Sequence, residues 1–161
     1  MARGVYTVTG KAQTVVAAPQ MVFINPGTTC SLQILRAWAS QNANATSAQQ
    51  GVKTFTKVTA FPTLVSATPA ATSPIDQASK ITGGTAGAAG TCGINSSANG
   101  GGTETDLYPD NFNVLNGWLW VPTPVDLVIM SAGSSSGFGT QFTATPGTLT
   151  NWTFGIEYAE V

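Results

Sequence analysis

The chain has 161 residues, 42% of them hydrophobic, with six Lys or Arg, seven Asp or Glu and no His. This length suits one domain with one core, so we predict a single domain over residues 1–161. The composition excludes a His-based catalytic relay, presents no recognisable metal-ligand set and supplies too few basic groups for a nucleic-acid surface. We therefore predict a protein that is not an enzyme and that uses no metal, cofactor or small-molecule substrate.

Only 8% of the residues are charged, against about a quarter in most soluble domains. Thr, Ser, Asn and Gln supply the polar surface instead, and the helix formers Glu, Lys and Arg are scarce. Because branched Thr side chains fit the pleat of a strand, this balance predicts an all-β fold.

The pattern of the first residues predicts the compartment in which the protein is synthesised. The chain begins with strand-like alternation and no signal-peptide core, which indicates synthesis in a cytoplasm. No apolar run approaches the roughly 20 residues that cross a bilayer, so no membrane partner is expected. In a reducing compartment Cys30 and Cys92 are expected to be thiols more often than a disulfide.

Short strands separated by turn residues are predicted for the first part of the chain. They cover residues 5–9, 14–16, 21–24 and 31–40. In the last of these, Leu32, Ile34 and Trp38 are expected to share an apolar face. Arg36 has the same parity, which predicts either a β-bulge or a carboxylate partner at a sheet edge or subunit interface; the simpler alternative is an Arg that extends from a sheet edge into water.

The next strand, residues 52–58, alternates most regularly. Val52, Thr54, Thr56 and Val58 are expected to face one way, and Lys53, Phe55 and Lys57 the other, with Phe55 on the wetter side.

Residues 66–105 are mostly Ala, Gly, Ser and Thr, with no aromatic residue. A compact domain rarely contains so long a structureless loop, so this segment is predicted to be a long loop, or an arm that becomes ordered against a neighbouring subunit. The segment lacks the strand, helix and glycine spacing of a phosphate-binding loop. A turn is expected at Pro74, Ile75 and Asp76.

Regular strands are predicted again after residue 105. Asn116-Gly117 predicts a tight hairpin turn leading into residues 118–122, followed by strands at 125–130, 138–145 and 150–160. One face of the strand at 138–145 is expected to hold Phe138, Thr140, Phe142 and Ala144, and one face of the last strand to hold Trp152, Phe154, Ile156 and Tyr158. Trp118 and Trp120 share one face of their strand. We expect them to fill a core or a subunit interface, the alternative being a platform on which sugars stack.

About ten short strands with regular turns predict an antiparallel β-sandwich or jelly roll. The order of segments adds a resemblance. Residues 1–8, the strands at 32–40 and 52–58, the turn at 74–76, the segment 112–122 and the last strand at 152–160 together resemble the small head-decoration, or cement, proteins of tailed bacteriophages.

This resemblance implies a β-sandwich on the outside of an icosahedral head, commonly a homotrimer, that binds the major capsid protein and clamps its subunits together. Its location would then be the virion surface, after synthesis in the host cytoplasm. The loop at residues 41–50 departs from the pattern, because similar proteins often carry acids there and this chain has none. The candidate interaction residues are Arg36, Trp38, Pro74, Ile75, Asp76, Trp118 and Trp120.

Two other classes fit the same sequence. A tail, baseplate or fibre component would have the same β composition but few copies per particle. A carbohydrate-binding module would require Trp118 or Trp120 to be exposed.

Overall fold

The computed structural model describes residues 4–15, 20–42, 48–59, 63–64, 72–74, 92–98 and 100–161. These residues form strands and turns and no helix, as the composition predicted, and so include no helix that could cross a membrane. The strands are β1 (Gly4–Gln13), β2 (Gln20–Ile24), β3 (Leu32–Gln41), β4 (Gln49–Val58), β5 (Thr63–Leu64), β6 (Thr72–Pro74), β7 (Cys92–Ile94), β8 (Ser96–Ala98), β9 (Thr103–Asn113), β10 (Trp118–Trp120), β11 (Ile129–Met130), β12 (Ser136–Phe142) and β13 (Trp152–Glu160).

Two antiparallel sheets contain most of these strands. Sheet A has the order β10-β3-β13-β1-β6, and β11 pairs with β3 on the same edge as β10. Sheet B has the order β7-β2-β12-β4-β9, while β5 and β8 form a separate two-stranded sheet.

Eight of the strands pair in a nested order. β1 pairs with β13, β2 with β12, β3 with β10 and β4 with β9, so that each pair encloses the next along the chain. The two members of every pair are separated along the chain by at least four other strands. The fold therefore depends on non-local contacts, which form slowly.

The two sheets pack face to face around one core. Trp152 of sheet A contacts Phe142 and Phe112 of sheet B, with ring centroids 4.7 and 6.4 Å apart. Trp120 of sheet A stacks on Phe138 of sheet B at 5.6 Å. These contacts give a sandwich-like arrangement, in which the inner face of each sheet is the one that faces the other sheet. The inner faces predicted for the last two strands are confirmed by the buried Phe138, Phe142, Trp152, Phe154, Ile156 and Tyr158. Ala144, predicted on the same face as Phe138, is instead exposed beyond the end of β12.

β3 contains a bulge, which was one of the alternatives predicted from the parity of Arg36. Glu157 of β13 lies opposite Arg36, and the next residue, Tyr158, lies opposite Ile34, so that Leu35 has no partner in the register. The extra residue reverses the alternation of β3 and places Arg36 on the outer face of sheet A.

The bulge also corrects the predicted face of β3. Before it, Leu32 and Ile34 point inward, as expected. After it the inward residues are Ala37 and Ala39, so the expectation that Trp38 shares the face of Leu32 and Ile34 is wrong. The prediction assigned faces from the alternation of side chains along a strand, which holds only while the strand has no bulge.

Asn116-Gly117 forms the predicted turn but not a hairpin. Asn116 N donates to Asn113 O at 2.9 Å, and Gly117 has a φ of +70°. The strands on either side, β9 and β10, belong to different sheets. Phe112 and Trp118 enter the same core from opposite sides, so the turn connects the two layers instead of pairing neighbouring strands.

Two further strand predictions are only partly correct. Thr14 and Val15 follow β1 without strand structure, and residue 16 lies outside the described residues. Of residues 125–130 only Ile129 and Met130 form a strand, because Asp126 closes a turn in which its N donates to Thr123 O at 3.0 Å.

The predicted arm at residues 66–105 falls largely outside the described residues. Its described parts contribute the short strands β6, β7 and β8 and the start of β9. The prediction that this segment becomes ordered against a neighbouring subunit stays a prediction.

Two threonine hydroxyls in the core provide a test of the inner face of sheet B. Thr54 and Thr140 lie directly opposite each other and are fully buried, and their hydroxyls have no hydrogen-bond partner among the residues that the structure describes. Because a buried hydroxyl without a partner is destabilising, Thr54→Val together with Thr140→Val should raise the free energy of unfolding by about 1 kcal/mol per site. Chemical denaturation measures this, and a loss of stability would show that the hydroxyls are needed.

Candidate interaction surface

An apolar strip runs along the free edge of sheet A. We define the strip as the exposed, large apolar side chains of β10, of β11 and of the segment that joins them. Their exposed fractions range from 44 to 91%, and they are Leu119, Val121, Val125, Leu127 and Ile129. Five large apolar side chains are thus exposed within 11 residues of one sheet edge. Exposed apolar surface of this kind commonly marks contact sites.

Local sequence explains why the strip points outward. Trp120 and Met130 turn inward to the core, so their neighbours Leu119 and Ile129 must face out. Between β10 and β11, Pro122 and Pro124 prevent a continuous strand because each lacks a backbone N–H. A groove of about 260 Å³, lined in part by Val58, Val128 and Ile129, lies beside the strip.

Arg36 and Trp38 lie next to the strip on the outer face of sheet A. Leu119 pairs with Trp38 across β10 and β3. The Trp38 ring covers Gly155 of β13, where a Cβ would lie 2.8 Å from its Cη2 atom, and the Arg36 guanidinium lies 5.5 Å from the ring centroid.

Arg36 has its carboxylate partner within the chain. Its Nε donates to Glu157 Oε2 at 2.7 Å, and its side chain remains 49% exposed. β3 lies between β13 and the β10 edge, so the predicted location of this pair at a sheet edge is wrong, although the predicted pairing is correct. An exposed ion pair of this kind contributes little stability, about 1 kcal/mol or less.

The remaining predicted residues lie elsewhere. Trp118 is buried in the core, and Trp120 packs between Phe138 and Tyr108, the latter at 5.2 Å. The two tryptophans therefore do not form an exposed sugar platform. The Pro74 backbone ends β6 opposite Tyr6, and Ile75 and Asp76 lie outside the described residues.

The outer face of sheet B holds a charged cluster that the sequence analysis missed. The cluster consists of Lys53 and Lys57 of β4 and Glu104 and Asp106 of β9. Lys53 Nζ donates to Glu104 Oε1 at 2.5 Å and to Asp106 Oδ1 at 2.7 Å, and Lys57 Nζ lies 4.0 Å from Glu104 Oε2. The sequence did contain a signal for this cluster. Glu104 and Asp106 alternate with Thr105, which places both acids on one face of their strand.

The two acids determine the pKa of Lys53. Burial lowers this pKa, but hydrogen bonds to Asp106 and Glu104 outweigh burial and raise the pKa above its ordinary value of 10.5. Lys53 is therefore a charged, structural group at neutral pH and is unsuited to act as a nucleophile.

Phe55 shares this outer face with the cluster but is completely buried, so its prediction as a wetter residue is wrong. It packs against Phe23 of β2 at 6.2 Å, and both rings lie over glycines of β12. A Cβ at Gly139 would lie 2.5 Å from Phe55 Cζ, and one at Gly137 would lie 2.7 Å from Phe23 Cε1. The missing side chains make room for the rings.

The edges of both sheets are poor templates for an added strand. β9, at an edge of sheet B, carries Pro109, two acids of the charged cluster and a register shift between the pairs Thr54–Tyr108 and Phe55–Asp106. β10 and β11 have three and two residues, and β6 ends in Pro74. Short edges, proline, charge and bulges all oppose strand addition, so contacts to a partner should be made by side chains.

Within the residues that the structure describes, no group of three or more Cys, Asp or Glu could hold a metal ion. Comparison with known protein families, with curated proteins and with solved structures gives no significant match.

Alkaline pH should weaken the Lys53 interaction. A Lys whose pKa is raised in the folded state adds stability below its unfolded pKa and loses it as pH rises through the folded pKa. Lys53→Met should lower the free energy of unfolding at pH 7 by about 1.5–3 kcal/mol, with the difference from wild type shrinking above pH 10.5.

Denaturant unfolding of both proteins across this pH range measures the effect. Tyr6 also titrates at alkaline pH, because burial and the Glu160 charge raise its pKa. Tyr6 is present in both proteins, so its contribution to the pH dependence of stability cancels in the difference. A difference that does not change with pH would contradict the assigned role of Lys53.

Proposed function

We propose that this chain is a structural virion protein, a decoration or cement protein that binds the outside of an icosahedral head and stabilises contacts between major capsid subunits. The observation that carries the proposal is the apolar strip beside Arg36 and Trp38, an exposed surface that a partner would cover. The resemblance in segment order supports the choice of a phage head as the location.

The strand order supports a jelly roll as the finer description of the fold. The eight nested strands divide into β10-β3-β13-β1 in sheet A and β2-β12-β4-β9 in sheet B. Nested pairing divided over two antiparallel sheets is what results when a long double-stranded ribbon rolls up, and jelly rolls are frequent in viral capsid proteins and lectins.

The strip suits attachment to a repetitive lattice. A contact made by a few aliphatic side chains is weak for one subunit but becomes effective when oligomers engage several capsid subunits at once. Following the resemblance, which implies trimers, we propose a homotrimer in which each copy presents the same strip. Side-chain contacts of this kind agree with sheet edges that oppose strand addition.

Burial of Trp118 removes the specific support for a sugar platform at the paired tryptophans. A tail component remains the alternative, and the number of copies of this chain per particle distinguishes it from a decoration protein.

Copy number tests the location directly. Quantitative mass spectrometry of purified particles from the source should find about one copy of this chain for each major capsid subunit. A handful of copies per particle would instead indicate a tail, baseplate or fibre component. Absence from particles would overturn the proposal.

Substitutions in the strip test the surface. Leu119→Ser with Ile129→Ser should weaken attachment to heads that lack the protein by about tenfold or more, because burying one aliphatic side chain contributes about 1.5 kcal/mol. Both side chains are exposed, so the folded chain should retain its stability. Pelleting of purified variants with such heads gives the affinity.

Leu149→Ser provides the matched control. Leu149 is an exposed leucine outside the strip, in the loop before β13, and its substitution should leave attachment unchanged. Equal attachment by the strip variant and wild type would place the interface elsewhere on the molecule.

A further inference from the structure

The turn between β9 and β10 ends in an asparagine followed by a glycine. Asn116 is exposed, and Gly117 adopts the left-handed backbone conformation, with a φ of +70°. Glycine reaches this conformation without steric cost because it has no Cβ. For the same reason, the backbone nitrogen of a glycine is the one that a preceding asparagine side chain approaches with least obstruction.

The two asparagines of this turn differ in how their side chains are held. Asn113 Oδ1 accepts a hydrogen bond from Leu115 N at 3.0 Å, and the next residue, Val114, is buried and β-branched. Within the residues that the structure describes, no hydrogen bond holds the Asn116 side chain or uses the Gly117 N–H. The Asn116 amide can therefore rotate toward the Gly117 nitrogen.

We propose that Asn116 is a site of spontaneous deamidation. Gly117 N attacks Asn116 Cγ and closes a five-membered succinimide ring. The Cγ–Nδ2 bond breaks, and Nδ2 leaves as ammonia with the proton lost from Gly117 N. Water then opens the ring: addition at Cγ gives aspartate, and addition at the backbone carbonyl carbon gives isoaspartate. The reacting atoms belong to adjacent residues, so proximity alone promotes the reaction.

The isoaspartate product would lengthen a turn that is fixed at both ends. Its backbone passes through Cγ, which adds one carbon between the Cα of residue 116 and Gly117 N. On either side of the turn, Val114 and Trp118 are buried in the core. Even a Cβ on Gly117 would lie 3.1 Å from Ala39 O of β3. Because space is so limited, the longer backbone should displace β10 from β3.

This displacement would also change the strip. Leu119, the first residue of the strip, directly follows Trp118 and pairs with Trp38 of β3. Chains that contain isoaspartate should therefore attach to heads less tightly than freshly made chains. This consequence rests on the proposed function, whereas the deamidation itself does not.

Incubation of the full chain in mildly alkaline buffer tests the site. Residue 116 should convert at a rate that rises with hydroxide concentration, because Gly117 N must lose its proton to attack. Cleavage after Glu104 at mildly acidic pH stops the reaction and separates residue 116 from the second Asn-Gly of the sequence, at residues 99–100. Mass spectrometry with electron-transfer fragmentation then distinguishes aspartate from isoaspartate.

Two substitutions separate the chemistry from its effects. Asn116→Gln should convert more slowly by about tenfold or more, because attack must close a larger ring. Freshly purified Asn116→Asp carries the new charge without the longer backbone and should keep the denaturant midpoint of fresh wild type. Incubated wild type should have a lower midpoint than incubated Asn116→Gln. Asn113, in the same peptide, is the internal control and should remain an amide.

The proposal would be overturned if residue 116 stayed an amide in the folded chain while the urea-unfolded chain converted it. It would also be overturned if Asn113 converted as fast as Asn116. Equal midpoints for incubated wild type and incubated Asn116→Gln would overturn the displacement of β10. These measurements use the isolated chain, so their failure leaves the capsid proposal standing, and failure of particle attachment leaves the deamidation standing.

Discussion

The rest of the structure depends on the packing of β13 against sheet B. β13 lies between β3 and β1, and its first residue, Trp152, contacts Phe142 and Phe112 across the core. These contacts hold the two layers together at one end of the molecule. Because β13 pairs with β1 and β3, which lie far away in the sequence, sheet A depends on long-range contacts, and such contacts form slowly.

Glycine and aromatic residues together shape the outer faces. Trp38 covers Gly155 on sheet A, and Phe23 and Phe55 cover glycines of β12 on sheet B. Each pair buries a large ring outside the main core and compensates for the weak packing of glycine in a strand. Residues that look surface-exposed by alternation are therefore partly structural, and the surface left for contacts is narrower than the alternation predicts.

The apolar strip and the Lys53 charged cluster occupy different surfaces of the molecule. The strip at the edge of sheet A is aliphatic, whereas the charged cluster lies on the outer face of sheet B, where Lys53 is held by two acids. A partner bound at the strip would gain mainly from apolar burial, with little dependence on salt.

The sequence by itself determined the all-β class, most long strands and the inward residues of β12 and β13, because composition and period-two alternation act locally. It also included a bulge among the alternatives predicted at Arg36. Tertiary structure decided that Leu35 is the bulged residue, that Asn116-Gly117 joins two sheets and that Phe55 is buried. It likewise assembled the strip and the Lys53 cluster. These features arise from the register between distant strands, and a local pattern contains no information about which strands become neighbours.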